Sequence, residues 1–149
     1  MLRLTGFEFL FRTIPESFVL MFAIFTLSNT KFNLKKYIVS SLLFGLCEYG
    51  IRMLPINYGV HTILDIFVMI IIMFSINKSD VVLSIKASLI TTIVLFILEG
   101  LNVLLLSIIF NNRLESIMLN IKLKTMSGLV SLICFAMVTV FYYLRKRNI

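Results

Sequence analysis

The sequence predicts an all-α integral membrane protein of about five transmembrane helices, built as a single transmembrane domain over residues 1–149. Three observations carry this. Sixty per cent of the residues are hydrophobic and the mean hydropathy is +1.04, more apolar surface than a soluble domain of this size can bury. The apolar residues fall in several long runs, and about 17 to 25 such residues are what crossing a hydrocarbon core about 30 Å thick requires. The 14 Lys and Arg residues lie mostly between and after those runs, so the bilayer and its anionic inner leaflet account for the net charge of +7, and nucleic acid is not an expected partner.

The first span, residues 5–28, contains "FLFRTIPESF", with Arg12, Pro15 and Glu16 inside an otherwise apolar stretch. Glu8, Arg12 and Glu16 stand at i, i+4 and i+8, one acidic-basic-acidic stripe on a helix. Pro15 has no N–H, and its ring meets the carbonyl of Phe11, so it either kinks this helix or marks its start. The second reading has a signature in "TIPE", a capping box with Thr13 as N-cap, which leaves residues 2–12 in the interface. A helix begun at Ile14 reaches only about 24 Å by Asn29, so a single span kinked near Pro15 is the better expectation.

The second span, residues 37–54, is roughly 27 Å long and carries Ser41, Gly45 and Gly50, small residues that allow close helix approach. Glu48 and Arg52 form an i, i+4 pair, after which Pro55 and Gly59 break the helix. Arg52 and Pro55 repeat the Arg-x-x-Pro spacing of Arg12 and Pro15. A third span over 60–77 is expected to start at a capping pattern of Thr62 and Asp65, with His61 just before it. The fourth, 82–110, is about 43 Å long; splitting it at Glu99 and Gly100 leaves a stub of about ten residues, so one tilted, protruding or kinked helix is preferred. Next, "NRLESIMLNIKL" sets Leu114, Ile117, Met118 and Ile121 opposite Arg113, Glu115 and Asn120, a short interfacial helix near 113–121. The fifth span covers 126–144, roughly 29 Å.

Basic residues orient the chain. With Arg145, Lys146 and Arg147 in the cytoplasm, Lys31, Lys35, Lys36, Lys78 and Lys86 join them, and Arg3, Arg113, Lys122 and Lys124 remain outside. A cell-membrane, multi-pass protein with its N-terminus outside and C-terminus cytoplasmic follows. The charged N-terminal run lacks the h-region of a cleavable signal peptide, so retention of the first segment is expected. Cys47 and Cys134, both in apolar runs, read as packing residues. Cys47 with His61 is a weak thiol-imidazole pattern, and His61 with Asp65 has no third ligand, so neither an enzyme nor a metal or other cofactor is expected.

In this topology Glu48, Arg52, His61 and Asp65 fall in the outer part of the membrane, Arg12 and Glu16 in the outer half to middle of the first span, and Glu99 with Asn102 at similar depth in the fourth. Each charge facing lipid near the bilayer centre costs about 2.5 to 3.5 kcal/mol, so these groups should turn inward and pair, or line a wet cavity. Such pairs can simply hold helices together. The excess of acids over bases points beyond that, to a proton held on a carboxylate or to a cationic partner.

The stretches "RTIPESFVL" and "IRMLPINYGVHTIL" resemble small multi-spanning membrane proteins of clostridia and related Firmicutes, which are similar to the membrane-embedded sensing regions that precede GHKL-type histidine kinases in peptide signalling. The resemblance marks Arg12, Pro15, Glu16, Arg52, Pro55, His61 and Glu99 as positions to watch. Since this chain ends five residues past its last expected span, it implies a receptor or adaptor subunit that signals through a separate membrane or cytoplasmic protein. A transport component, and a structural subunit of a larger membrane complex, are the alternative expectations.

Overall fold

The computed structural model describes residues 6–110, 116, 119 and 121–148, nearly all of them helical and none in a strand. The first long helix, α1 (Ile14–Leu27), is entered through one helical turn, Gly6–Glu8, and a π-helical turn, Phe9–Thr13. Pro15 accounts for the wide turn. Its missing N–H removes the bond to the Phe11 carbonyl and its ring crowds that oxygen, and a π turn just before it relieves both. Thr13 is itself helical, at φ −66 and ψ −42, and its side chain makes no capping bond. The capping-box reading is therefore excluded, and the apolar helix is continuous over Phe9–Leu27.

After α1 the backbone turns through Ser28, whose N–H donates to the Ile24 carbonyl at 2.8 Å, and Asn29, whose φ of 55 is a left-handed conformation that asparagine tolerates. Asn33 then caps α2 (Leu34–Arg52), its side-chain oxygen accepting from the Lys35 N–H at 3.1 Å. The break at Pro55 falls as expected between α2 and α3 (Tyr58–Ser75). The start of α3 does not. Asn57 is extended, the helix resumes at Tyr58, and Thr62 and Asp65 lie inside it rather than capping it. Proline bars helix only at its own turn and the residue before it, and nothing between Ile56 and Thr62 delays the restart.

At its other end α3 closes with Lys78 at φ 51, a left-handed conformation more usual for glycine, and the Ser79 N–H donates to the Met73 carbonyl at 3.2 Å. The Asp80 carboxylate accepts from the Val82 N–H at 2.8 Å and starts α4 (Val81–Phe110). This helix passes Glu99 and Gly100 without interruption, about 45 Å in one piece. The last helix, α5 (Ile121–Arg147), begins five residues before the expected 126. The interfacial helix expected near 113–121 lies largely outside the described residues.

Among the described residues three helical stretches are long and apolar enough to cross a membrane: Phe9–Leu27, Val81–Phe110 and Met126–Arg147. Gly59–Ser75, within α3, is apolar but shorter. α2 falls short because Lys35, Lys36, Glu48 and Arg52 dilute its apolar run. Among the described residues helices occur where the five spans were expected, but only three stretches are long and apolar enough to cross, fewer than the five expected.

The chain divides into two compact units, Met1–Thr92 and Ile93–Ile149, with the boundary inside α4. In the first, α1 and α2 pack antiparallel. Gly45 of α2 faces Ser17 of α1, where an added Cβ would stand 3.0 Å from the Ser17 Oγ. Eight residues away on each helix, Phe25 meets Tyr37 edge-on at 5.8 Å, so the register is set at two points. Phe18, Phe22 and Phe32 surround the same tyrosine ring, and its hydroxyl donates to the Phe18 carbonyl at 2.7 Å. Tyr37→Phe should keep the ring packing and lose that bond, lowering stability by about 0.6–1.7 kcal/mol. Unfolding in mixed lipid-detergent micelles measures it, and no change would show that the hydroxyl contributes nothing.

Packing of α2 on α3 is set by Asn77, just past the end of α3, whose amide donates to the Ser40 Oγ at 3.0 Å. The core of the first unit is Leu20, Met21, Ile24 and Phe25 of α1, Phe44 of α2, and Met69, Ile72 and Met73 of α3. In the second unit the Asn102 amide of α4 donates to the Ser127 carbonyl of α5 at 2.7 Å, and Leu132 and Phe135 are buried. Much of the rest of both helices is exposed and apolar, including Ile108 at 75% and Phe141 at 69%, a surface that lipid covers at no cost.

Candidate functional site

The site lies where α1, α2 and α3 meet, at the end of the α2 and α3 pair opposite Ser40 and Asn77. Counting equally far along both helices from that contact brings Arg52 to the level of Asp65. Thr13, at the end of the π turn, and Glu16 and Ser17 of α1 fall at i, i+3 and i+4, and Ser17 faces Gly45 of α2. On α2, Glu48 lies three residues beyond Gly45 on the same face, and Arg52 one turn further.

Arg52 is the hub. Its Nη2 donates to Oε2 of Glu16 at 3.3 Å and to Oε1 of Glu48, so one guanidinium nitrogen bridges two carboxylates from different helices. Both acids are deep, Glu48 at 2% and Glu16 at 6% exposure, while the arginine side chain keeps 25%. Charges this far from water are tolerated only when paired, which is why the two acids converge on one base. Asp65 of α3 and Arg12, in the π turn, lie close enough for their charges to act on Glu48. Glu48 Oε2, Asp65 Oδ1 and Thr13 Oγ1 are buried and have no hydrogen-bond partner among the described residues.

Of the eight positions singled out in the sequence, Glu16, Glu48 and Arg52 are in direct contact, and Arg12 and Asp65 act on them electrostatically. His61 is half-buried on α3, one turn before Asp65. Glu99 and Asn102 belong to the second unit, where Asn102 ties α4 to α5. Sequence reasoning overlooked Thr13 as a buried hydroxyl, having weighed it only as a cap, and overlooked the Ser40 and Asn77 pair. Asn77 carried a usable signal, an amide at the end of an apolar run. Cys47 is a free, half-buried thiol, and among the described residues no group of three or more His, Cys, Asp and Glu side chains is arranged to hold a metal ion.

Fold and site together define a class: a helical protein with helices long and apolar enough to cross a membrane and an acid-rich charge cluster buried among its first three helices. Comparison with protein-family models, with curated proteins and with solved structures found no match.

Proposed function

We propose that the protein is a non-enzymatic receptor or adaptor subunit of the cell membrane, crossing it five times with its N-terminus outside and its C-terminus in the cytoplasm. The buried charge cluster would then open toward the outer face, take up a small ligand or peptide, and pass its state to a partner protein at the cytoplasmic face. One observation carries this reading: ionisable groups from three helices converge in an apolar interior and leave acceptor atoms unfilled. Intramembrane charge of this kind marks binding or relay more often than simple adhesion. The resemblance to sensing regions that precede GHKL-type kinases supports the signalling half of the reading.

A transport component is the second reading, favoured by the π turn before Pro15 and the break at Pro55, both beside buried carboxylates. Broken helices near charged groups are how carriers build midplane sites.

Native mass spectrometry of the gently solubilised protein from its own membrane separates these readings. A stoichiometric second protein is the expected result, with loss of response to an extracellular signal on deletion and a fluorescent C-terminal fusion in the cytoplasm. A monomer or homo-oligomer that retains a small molecule, together with ion-dependent uptake in proteoliposomes, would overturn the receptor reading in favour of transport. A constitutive complex indifferent to any extracellular signal would make the protein a structural subunit.

A further inference from the structure

We propose that the cluster around Glu48 is a binding site for a monovalent organic cation that carries N–H donors, a primary ammonium or a guanidinium. The proposal deepens the ligand-binding reading above, and rests on it for access from the outer face.

Charge supplies the first argument. Glu16, Glu48 and Asp65 bring three acids together, and two bases answer them: Arg52, bonded to both glutamates, and Arg12, near enough to act on Glu48. Among these five side chains the acids exceed the bases by one. A single positive charge completes the set.

Hydrogen bonding supplies the second. Oε2 of Glu48 belongs to the same carboxylate whose Oε1 binds Arg52, so it lies inside the cluster, on a residue with 2% exposure, and it accepts nothing from the described residues. Thr13, the last residue of the π turn, has no exposed surface, its hydroxyl has no partner among the described residues, and it stands one turn before Glu16 and before Ser17, which faces Gly45 of α2. Asp65 adds Oδ1 from α3. Buried acceptors without donors are costly, and they ask for donors rather than for charge alone.

The kind of cation follows. A proton fills only one of these oxygens. A metal ion held by acidic, histidine or cysteine side chains needs several of them converging on one point, and among the described residues no group of three or more is so arranged. Ammonium and guanidinium groups donate in several directions at once, as Arg52 already does with its one bridging nitrogen. Arg52 is the last residue of α2 and a quarter exposed, beside the break at Pro55, so it stands at the edge of the site where an entering cation would pass.

The test is calorimetric titration of methylguanidinium chloride into the full chain in lipid nanodiscs. Methylammonium, tetramethylammonium and sodium chlorides serve as comparisons at constant ionic strength. Saturable binding is expected for methylguanidinium and methylammonium, and none for tetramethylammonium, which has the charge but no N–H, or for sodium. Glu48→Gln and Asp65→Asn should each weaken binding about tenfold or more, while Asp80→Asn, on the surface, changes nothing. Equal binding of tetramethylammonium, preference for sodium, or indifference to both acidic-site variants would overturn the proposal. The comparison among the four salts uses the unaltered chain, so it stands even where a variant does not fold. A partner protein found without cation binding would overturn this site and leave the receptor reading in place. Cation binding without a partner would support the site and shift the function to transport.

Discussion

Arg52→Leu is expected to destabilise the first unit by about 3 kcal/mol, the low end of the cost of removing one member of a buried ion pair. The low end applies because the arginine side chain retains 25% exposure, and water can follow it in part. Nearly all of the loss comes from what remains: Glu16 and Glu48 would face each other across the contact of α1 and α2 with their shared donor gone. Glu48→Gln made together with Arg52→Leu should recover a large part of the loss, because it removes one of the stranded charges. Arg52→Lys keeps the charge but replaces a planar donor with a compact one, and should fall between. A double-mutant cycle in mixed micelles reads the coupling directly, and additive effects of the two single changes would show that the bridge is not energetically a unit.

Gly45→Leu should be comparably damaging, by about 1–3 kcal/mol, for a steric reason rather than an electrostatic one. The first added atom already stands 3.0 Å from the Ser17 Oγ and 3.5 Å from its Cβ. That hydroxyl is held by the Ile14 carbonyl at 2.8 Å, so it cannot swing aside without losing a bond. The helices must part instead, and Glu16 and Glu48 beside the contact would part with them. Gly45→Ala should cost less and be rescued by Ser17→Ala, which leaves only the ordinary 3.5 Å contact. Gly50→Leu is the control, since nothing lies within 4 Å of its added Cβ, and it should be near neutral. Thermal unfolding of the four variants is enough, and equal loss at positions 45 and 50 would show that close approach is not what position 45 supplies.

Both results bear on how far the site was legible in the residues. The Glu48 and Arg52 pair was readable because i, i+4 spacing on one helix requires no knowledge of other helices. That Asp65 joins them was readable only as a matter of depth, through the positive-inside pattern. Arg52 bridging to Glu16 was not readable. Sequence spacing offered Glu16 a nearer base in Arg12 one turn before it, and the choice of Arg52 depends on which faces of α1 and α2 meet. Thr13 shows the same limit: a threonine three residues before a glutamate is a cap in local terms, and it became a buried hydroxyl because the π turn carried the helix through it.

The amino-acid sequence alone determined the helical class, the position of every long helix to within a few residues, the break at Pro55 and the unbroken run past Glu99, because apolar periodicity and proline geometry act over distances shorter than one helix. Tertiary structure alone decided that Pro15 is absorbed by a π turn, that α1 and α2 approach at Ser17 and Gly45, and that one arginine nitrogen holds two acids from different helices. Those outcomes depend on register between helices, which local spacing does not encode and which close packing selects from many near-equal alternatives.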